Sequence, residues 1–478
     1  MPSPTCLARG LCACLLGLTV SPVLHAVDNY NSSTEKINEN LTHFSSEAEK
    51  NRQPEEDMID ELQERQYLLG DTGGWREDLA DYGLAIDLSF AMNLAGNPVG
   101  GDSRGFTQLN STGLNFGVDL EKLAGLEGLS FFSSLSVRSG TSLTLSHIHN
   151  VINVQQLYGN ESYRLVNLYL EQVLLDGHFS IKAGRIAQFD DFSHSDAFAY
   201  YMNNAFDGQP VGFFFMGPFT AYPVTTWGAL IRGGVPTGQH DGFYGMVGAY
   251  GADSNQANVD NHGTDFTFNF DQGANIMGEL GYKLNWSKYS SGLPGKYALG
   301  AWMFTGPFTT NSGGTTDNIG GLYYFIEQNL YREGVPEQVP NSERMQARQV
   351  WGQSEGFMEE IQGLYFWTTG QFNLSDDVNQ ADLFASAGLY YRGLLPGRDQ
   401  DILSLGAAWL NFSSSWGNAQ RAAGQPVQDY EVELELSYRY QVTNYFYLQP
   451  NIQGVINPGA ANQFDDALVI GLQLQVDF

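Results

Sequence analysis

Glu431, Glu433 and Glu435 stand on alternate residues and are followed at the same spacing by Ser437 and Arg439; Val432, Leu434, Leu436, Tyr438 and Tyr440 fill the positions between them. Alternate side chains of an extended chain point to opposite faces. The run therefore predicts a strand with a carboxylate row closed by a guanidinium on one face and an apolar row on the other. Carboxylates are acceptors only and a guanidinium is a rigid fork of donors, so together they satisfy groups that both donate and accept. The same parity test gives further polar faces: Asp87 and Ser89; Asn115 and Asp119; Ser134, Ser136 and Arg138; Asn167, Tyr169 and Glu171; Arg232; Glu279; Glu327 and Asn329; Trp367 and Gln371; Ser386, Tyr390 and Arg392. Arg185 breaks the pattern, since Ile181 and Ala183 share its parity. A bulge at Gly184 is expected to re-aim it.

Other chemistries find weaker support. Gly101-Asp102-Ser103-Arg104-Gly105 fits G-x-S-x-G, but it lies between two strand-like segments with no helix following, so the nucleophile elbow lacks its setting. His147 and His149 lack a third convincing metal ligand, and Asp190, Asp191 and Asp196 lack the glycine and terminal Glu of a calcium loop. All three cysteines, Cys6, Cys12 and Cys14, precede residue 15, which leaves the rest of the chain without thiol chemistry. No catalytic residue, metal or cofactor is expected.

The elements that position these residues are strands. From Leu84 onward the pattern has period two, and sixteen strand-like segments recur, from 84–95 and 112–121 through 178–187 and 429–442 to 466–478. In the last of them Leu468, Ile470, Leu472, Leu474, Val476 and Phe478 share one face and Gln473, Gln475 and Asp477 the other. After residue 26 no apolar run is long enough for a transmembrane helix, so a membrane would be crossed by strands, which must close into a barrel to pair every backbone group. The expected fold is all-β, a 16-stranded antiparallel transmembrane β-barrel with a short N-terminal helical segment, placed in the outer membrane of a Gram-negative-type bacterium. Residues 1–26 read as a signal peptide, with Arg9 before the apolar stretch Leu11–Val23 and cleavage after Ala26. Residues 27–69 read as an acidic, helical periplasmic segment, and 70–478 as the barrel. The acidic segment either packs on itself, pairs between copies of the chain in a homo-oligomer, or enters the lumen as a plug; a disordered leader is the alternative.

Short connections, Asp176-Gly177 and Thr443-Asn444, read as periplasmic turns. The long stretches 188–223 and 332–361 are expected on the extracellular side, and 188–223, with Phe213-Phe214-Phe215, is the candidate to fold inward as a constriction. A surface loop is the alternative.

With 53 acidic against 23 basic residues and a net charge of −30, nucleic-acid binding is excluded, because no basic face remains to neutralise phosphates. Only 16% of residues are charged, 13% are aromatic, and 55 are glycine, a composition that suits a lipid-facing exterior with tight turns. A lumen of arginines, carboxylates, amides and aromatics matches neutral polyhydroxylated solutes, whose hydroxyls donate and accept and whose C–H faces stack on rings. A generic water-filled lumen whose charges merely pair with one another fits the same parity, as does a structural or adhesive barrel.

Several motifs are familiar. Gly73-Gly74-Trp75-Arg76, Leu168-Tyr169-Leu170-Glu171-Gln172 with Ile181-Lys182-Ala183-Gly184-Arg185, Asn203-Asn204-Ala205-Phe206, and above all Glu433-Leu434-Glu435-Leu436-Ser437-Tyr438-Arg439-Tyr440 with Leu448-Gln449-Pro450-Asn451 and Ile456-Asn457-Pro458-Gly459 resemble the carbohydrate-selective porin family, OprB. The resemblance covers about residues 70–478. It implies passive diffusion of mono- and oligosaccharides, with Glu171, Arg185, Glu435 and Arg439 carried over by matching motif. Arg138, Arg232, Glu279, Glu433 and Trp367 join them as pore-lining candidates by strand parity. Sugars, outer-membrane lipid and the barrel-assembly machinery are the expected partners, Phe478 serving as an assembly signal.

Overall fold

The computed structural model describes residues 65–71, 73–206, 208–334 and 361–478. The signal peptide and nearly all of the acidic segment expected from the sequence lie outside the described residues.

Sixteen antiparallel strands follow in order: β1 Leu84–Gly101, β2 Phe106–Asp119, β3 Leu129–Gly140, β4 Ser162–Leu174, β5 Phe179–Ile186, β6 Thr226–Pro236, β7 Gly242–Gly251, β8 Ala274–Leu284, β9 Gly295–Thr309, β10 Thr315–Arg332, β11 Gly363–Asn373, β12 Ala381–Arg392, β13 Ile402–Phe412, β14 Tyr430–Thr443, β15 Phe446–Ile456 and β16 Asp465–Asp477. Each pairs with its sequence neighbours, and β1 pairs with β16 from Ser89 opposite Asp477 to Gly101 opposite Asp465, so the sheet closes and has no free edge. Among the described residues, three short α-helices decorate the ends: α1 Trp75–Asp81, α2 Leu120–Ala124 and α3 Ser414–Ala422. β1 runs past the expected boundary at 95. Pro98 cannot donate to the ladder, and the strand passes it with register shifts between Gly96, Val99 and Gly101, while the Asn97 amide bonds the Gly100 and Ser103 carbonyls.

The two faces obey parity with apolar groups outside. Leu434, Leu436, Ile452 and Ile470 are exposed, whereas Glu431, Glu433, Glu435 and Gln453 are buried. Exposed leucines beside buried carboxylates invert the pattern of a water-soluble sheet and match a barrel that stands in lipid.

Even strand number and strict alternation decide which end each connection occupies. Those after odd strands lie at one end; those after even strands lie at the end that carries Phe478. β10 therefore ends at Arg332 and β11 begins at Gly363 at the Phe478 end, with the turns 175–178 and 444–445, whereas the length of the stretch 332–361 points to the opposite end; residues 335–360 of that stretch lie outside the described residues. Parity of strand count overrides loop length.

The closing seam is clasped from the N-terminal side. Phe478 N–H donates to Leu88 O at 2.7 Å and Leu68 N–H to Asp477 O at 2.8 Å. Arg76, on the first turn of α1, donates to a C-terminal oxygen of Phe478 and to Ile86 O, with its guanidinium stacked on Tyr67 at 4.1 Å and Trp75 at 4.6 Å. A charged hydrogen bond of this kind contributes about 2 kcal/mol. Arg76→Ala is expected to lower the temperature at which the folded barrel converts to the unfolded form on heated SDS gels, with Arg76→Lys intermediate; an unchanged transition contradicts the clasp.

Candidate functional site

The connection 187–225 between β5 and β6 turns into the barrel. It forms 3₁₀ turns at Gln188–Asp190, Asp196–Tyr200 and Val211–Phe215 and buries Phe189, Phe192, Phe198, Tyr201, Phe206, Phe213 and Phe219. Their rings meet the inward aromatics of the wall: Phe198 lies 5.3 Å from Trp367 and 5.8 Å from Phe325, Phe213 lies 5.4 Å from Tyr323, and Phe219 lies 5.0 Å from Trp302 and 4.8 Å from Phe304. Such rings bring large apolar area and an edge-to-face preference. The sequence expectation of an inward constriction segment at 188–223 agrees with this placement.

Irregular backbone inside a barrel carries polar groups that need partners. The wall carboxylates supply acceptors. Glu435 takes Met202 N–H and Asn203 N–H, both at 2.8 Å, one on each oxygen. Glu433 accepts the Asn203 side-chain amide at 2.9 Å. Glu279 accepts Ser193 N–H at 2.9 Å together with the Tyr244 and Tyr323 hydroxyls. Glu327 accepts the Ser195 and Tyr390 hydroxyls, each at 2.8 Å. The connection 141–161, between β3 and β4, is held likewise: Glu431 accepts Val151 N–H and Ile152 N–H at 2.8 Å, and Asn150 donates to Glu433 at 2.9 Å. Parity gives these carboxylates; their partners include backbone N–H groups of the loops, for Glu279, Glu431 and Glu435, and for these the sequence carries no spacing signal.

The bases complete the arrangement. Arg232 meets Glu171 at 2.6 Å and Asp191 at 3.3 Å, and Lys182 meets Asp191 at 2.7 Å, so Asp191 of the inward loop ties two strands together. Arg439 donates to Gln449 and to Ala199 O of the loop, lying 4.1 Å from the Tyr447 ring and 5.1 Å from that of Tyr200. Trp367 Nε1 donates to the Tyr201 hydroxyl at 3.1 Å. Arg138 stands apart from the others, donating to Tyr158 O at 3.0 Å with Tyr222 5.5 Å away. Lys182 and Asp191 are absent from the pore-lining candidates that the sequence gives, although Lys182 shares the parity of Ser180. At the root of the loop, burial and the adjacent Asp191 carboxylate push Asp190 up to about 7, while Lys182, the Asn167 amide and His194 oppose the shift.

Arg185 is corrected. Pairing on both sides of β5 runs through Gly184 without a register shift, so no bulge turns the side chain inward. Gly184 has φ of +147° and a Cβ there would stand 2.3 Å from Leu168 O, which explains the glycine as close approach to β4. Arg185 keeps its outward parity and is covered by the connection 252–273, donating to Gly263 O, to Asp265 O at 3.3 Å and to Gln256 Oε1 at 2.9 Å. Ser103 lies in the exposed loop 102–105, which runs from β1 directly into β2, and its hydroxyl is 3.0 Å from His147 Nδ1.

A closed sixteen-stranded barrel with an apolar exterior and a loop fixed inside its lumen is the architecture of an outer-membrane diffusion channel. The family model described as "Carbohydrate-selective porin, OprB family" matches residues 103–478, and the chain belongs to that family. It is 26% identical to Porin B of Pseudomonas aeruginosa over 86% of this chain and 91% of that protein, and 27% identical to the putative porin QuiX of Acinetobacter baylyi over 87% and 94%. The high-pH structure of Pseudomonas putida OprB shares its fold, with a TM-score of 0.75, 23% identity, and coverage of 87% of this chain and 99% of that one. The protein is thus a carbohydrate-selective porin that crosses the outer membrane many times. The Phe478 end is then the periplasmic end, because the closing strand and the short turns lie there.

Two outcomes are expected. Glu435→Gln replaces one acceptor oxygen by a donor facing a loop N–H, at a cost of about 2 kcal/mol; the loop between 196 and 206 becomes cleavable by added protease and single-channel conductance rises and grows noisier. The neutral form of Asp190 prevails below about pH 7. Its contribution to holding the loop root is lost as pH rises through that value, so channel noise grows between pH 6 and 8, and Asp190→Asn flattens the profile.

Proposed function

We propose that the channel passes mono- and short oligosaccharides by passive diffusion along the space between the inward loop and the wall, and that Arg138, Glu171, Arg232, Glu279, Trp367, Glu433, Glu435 and Arg439 define that passage. The observation that carries this reading is the stitching of the inward loop by Glu279, Glu327, Glu433 and Glu435, which holds amides, guanidinium forks and ring faces at fixed positions. A pyranose offers hydroxyls that donate and accept around its rim and an apolar C–H face, so such a wall replaces its water partners without stripping a charge. Arg232 and Arg439 would contact the solute. Glu279, Glu327, Glu433 and Glu435 act mainly by fixing the loop, since each accepts at least one bond from it. The proposed assembly partners are the barrel-assembly machinery, reading the Phe478 terminus, and the surrounding lipid; a homo-oligomer is a further proposal on which no contact of the described residues bears.

Glucose and a maltooligosaccharide series added to purified protein in planar bilayers test the reading. Saturable block of ion current, weakened severalfold by Trp367→Ala, is expected; conductance without any sugar-dependent block is the signature of a general porin and contradicts the proposal.

A further inference from the structure

Strand register gathers three arginines into one row at the periplasmic end of the lumen. Arg332 of β10 pairs with Gly363 of β11, Gly363 with Arg392 of β12, Arg392 with Ile402 of β13, and Ile402 with Arg439 of β14. All share the inward parity of Tyr365 and Trp367. The register shift between Asn329 and Tyr331 sets Arg332 there. Gly363 is obligatory, with φ of +141° and the site of a Cβ only 1.9 Å from Tyr331 O, so the position between Arg332 and Arg392 holds no side chain.

The three differ in what they already hold. Arg332 donates to the Ser290 and Lys288 carbonyls at 2.8 Å, and Arg439 to Gln449 and Ala199 O. Arg392 is part-exposed and makes no hydrogen bond or ion pair among the described residues. It stands beside the Tyr365 and Tyr390 rings, which are stacked 4.5 Å apart and 3° from parallel. The nearby lumen carboxylates are already occupied: Glu327, Glu433 and Glu435 are each at most 3% exposed and accept bonds from the inward loop. Higher in the lumen, the Arg232 side chain is 27% exposed while its partners Glu171 and Asp191 are 7% and 1% exposed. The part-exposed acids of the mouth, Asp87, Asp119 and Asp477, lie on β1, β2 and β16, strands that do not pair with those of the row, and Glu333, next to Arg332, takes the Tyr391 hydroxyl at 2.5 Å. Among the described residues, the inward positions of this row carry guanidinium donors and no carboxylate, with Asp399 exposed on the turn that follows β12, although the chain as a whole carries a net charge of −30.

We infer that this arginine row, with Arg392 at its centre, is an oxyanion subsite, and that the channel takes sugars bearing a carboxylate or phosphate group in preference to neutral ones. The inference rests on the reading of the channel as a sugar pathway and names the substrate class within it. The Arg392 fork receives the oxyanion bidentately, and the Tyr365–Tyr390 stack borders the polyol.

Current block by glucose, gluconate and glucose 6-phosphate, each added to the full-length protein in planar bilayers at low and high salt, tests it. At low salt at least one of the two anions is expected to bind about tenfold tighter than glucose, the value of one charged hydrogen bond, and the advantage shrinks as salt rises. Arg392→Gln should bring the anions to within about twofold of glucose while leaving glucose block in place, and Arg392→Lys should keep part of the gain. Glucose block with neither anion bound more tightly, or an anion advantage that survives Arg392→Gln, overturns the subsite alone. Failure of glucose itself to block overturns the sugar pathway.

Discussion

A loop threaded into a barrel lumen must find partners for its backbone, and in this protein the wall carboxylates provide them. Glu435 holding Met202 and Asn203 through two N–H donors is the clearest case, because both of its oxygens are used. An unpaired buried N–H costs on the order of 1–3 kcal/mol, and the loop offers several. The charged row that parity exposes in the sequence thus serves structure before it serves transport. It fixes the loop, and the loop determines what space is left.

That division explains a chain with 53 acids that nevertheless presents cations to its lumen. Each inward carboxylate at the level of the loop is consumed by donors from the same molecule, whereas Arg232 and Arg392 remain partly accessible. Aromatic packing of Phe198, Phe213 and Phe219 against the wall gives the same loop its apolar adhesion. Polar stitching fixes register, and ring packing supplies area. The exterior depends on neither, needing only the alternation that sends Leu434 and Leu436 into lipid.

Much of this is legible in the residues alone. Alternation gives sixteen strands and the inward side of Glu171, Arg232, Glu279, Trp367, Glu433, Glu435 and Arg439, because a two-residue period leaves one free choice per strand and lipid makes that choice. Arg185 is misread from sequence because a broken alternation has two causes, a bulge or a covering loop, and only pairing register separates them. The end at which β10 stops and β11 starts is misread because length is a tendency and strand parity is a constraint. The partners of the carboxylates are illegible for a deeper reason. They are backbone groups some 230 residues distant in the chain for Glu435, and a backbone N–H has no residue type to recognise. The arginine row is similarly hidden, since it exists only once the offsets between β10 and β14 are known.

The placement of the inward loop is tested most directly by an experimental density map of the purified protein in a lipid environment. The account predicts continuous density for residues 187–225 across the lumen, with the Glu435 carboxylate against the Met202 and Asn203 backbone. An open lumen, with that loop lying over the extracellular rim and Glu435 facing solvent, would contradict it.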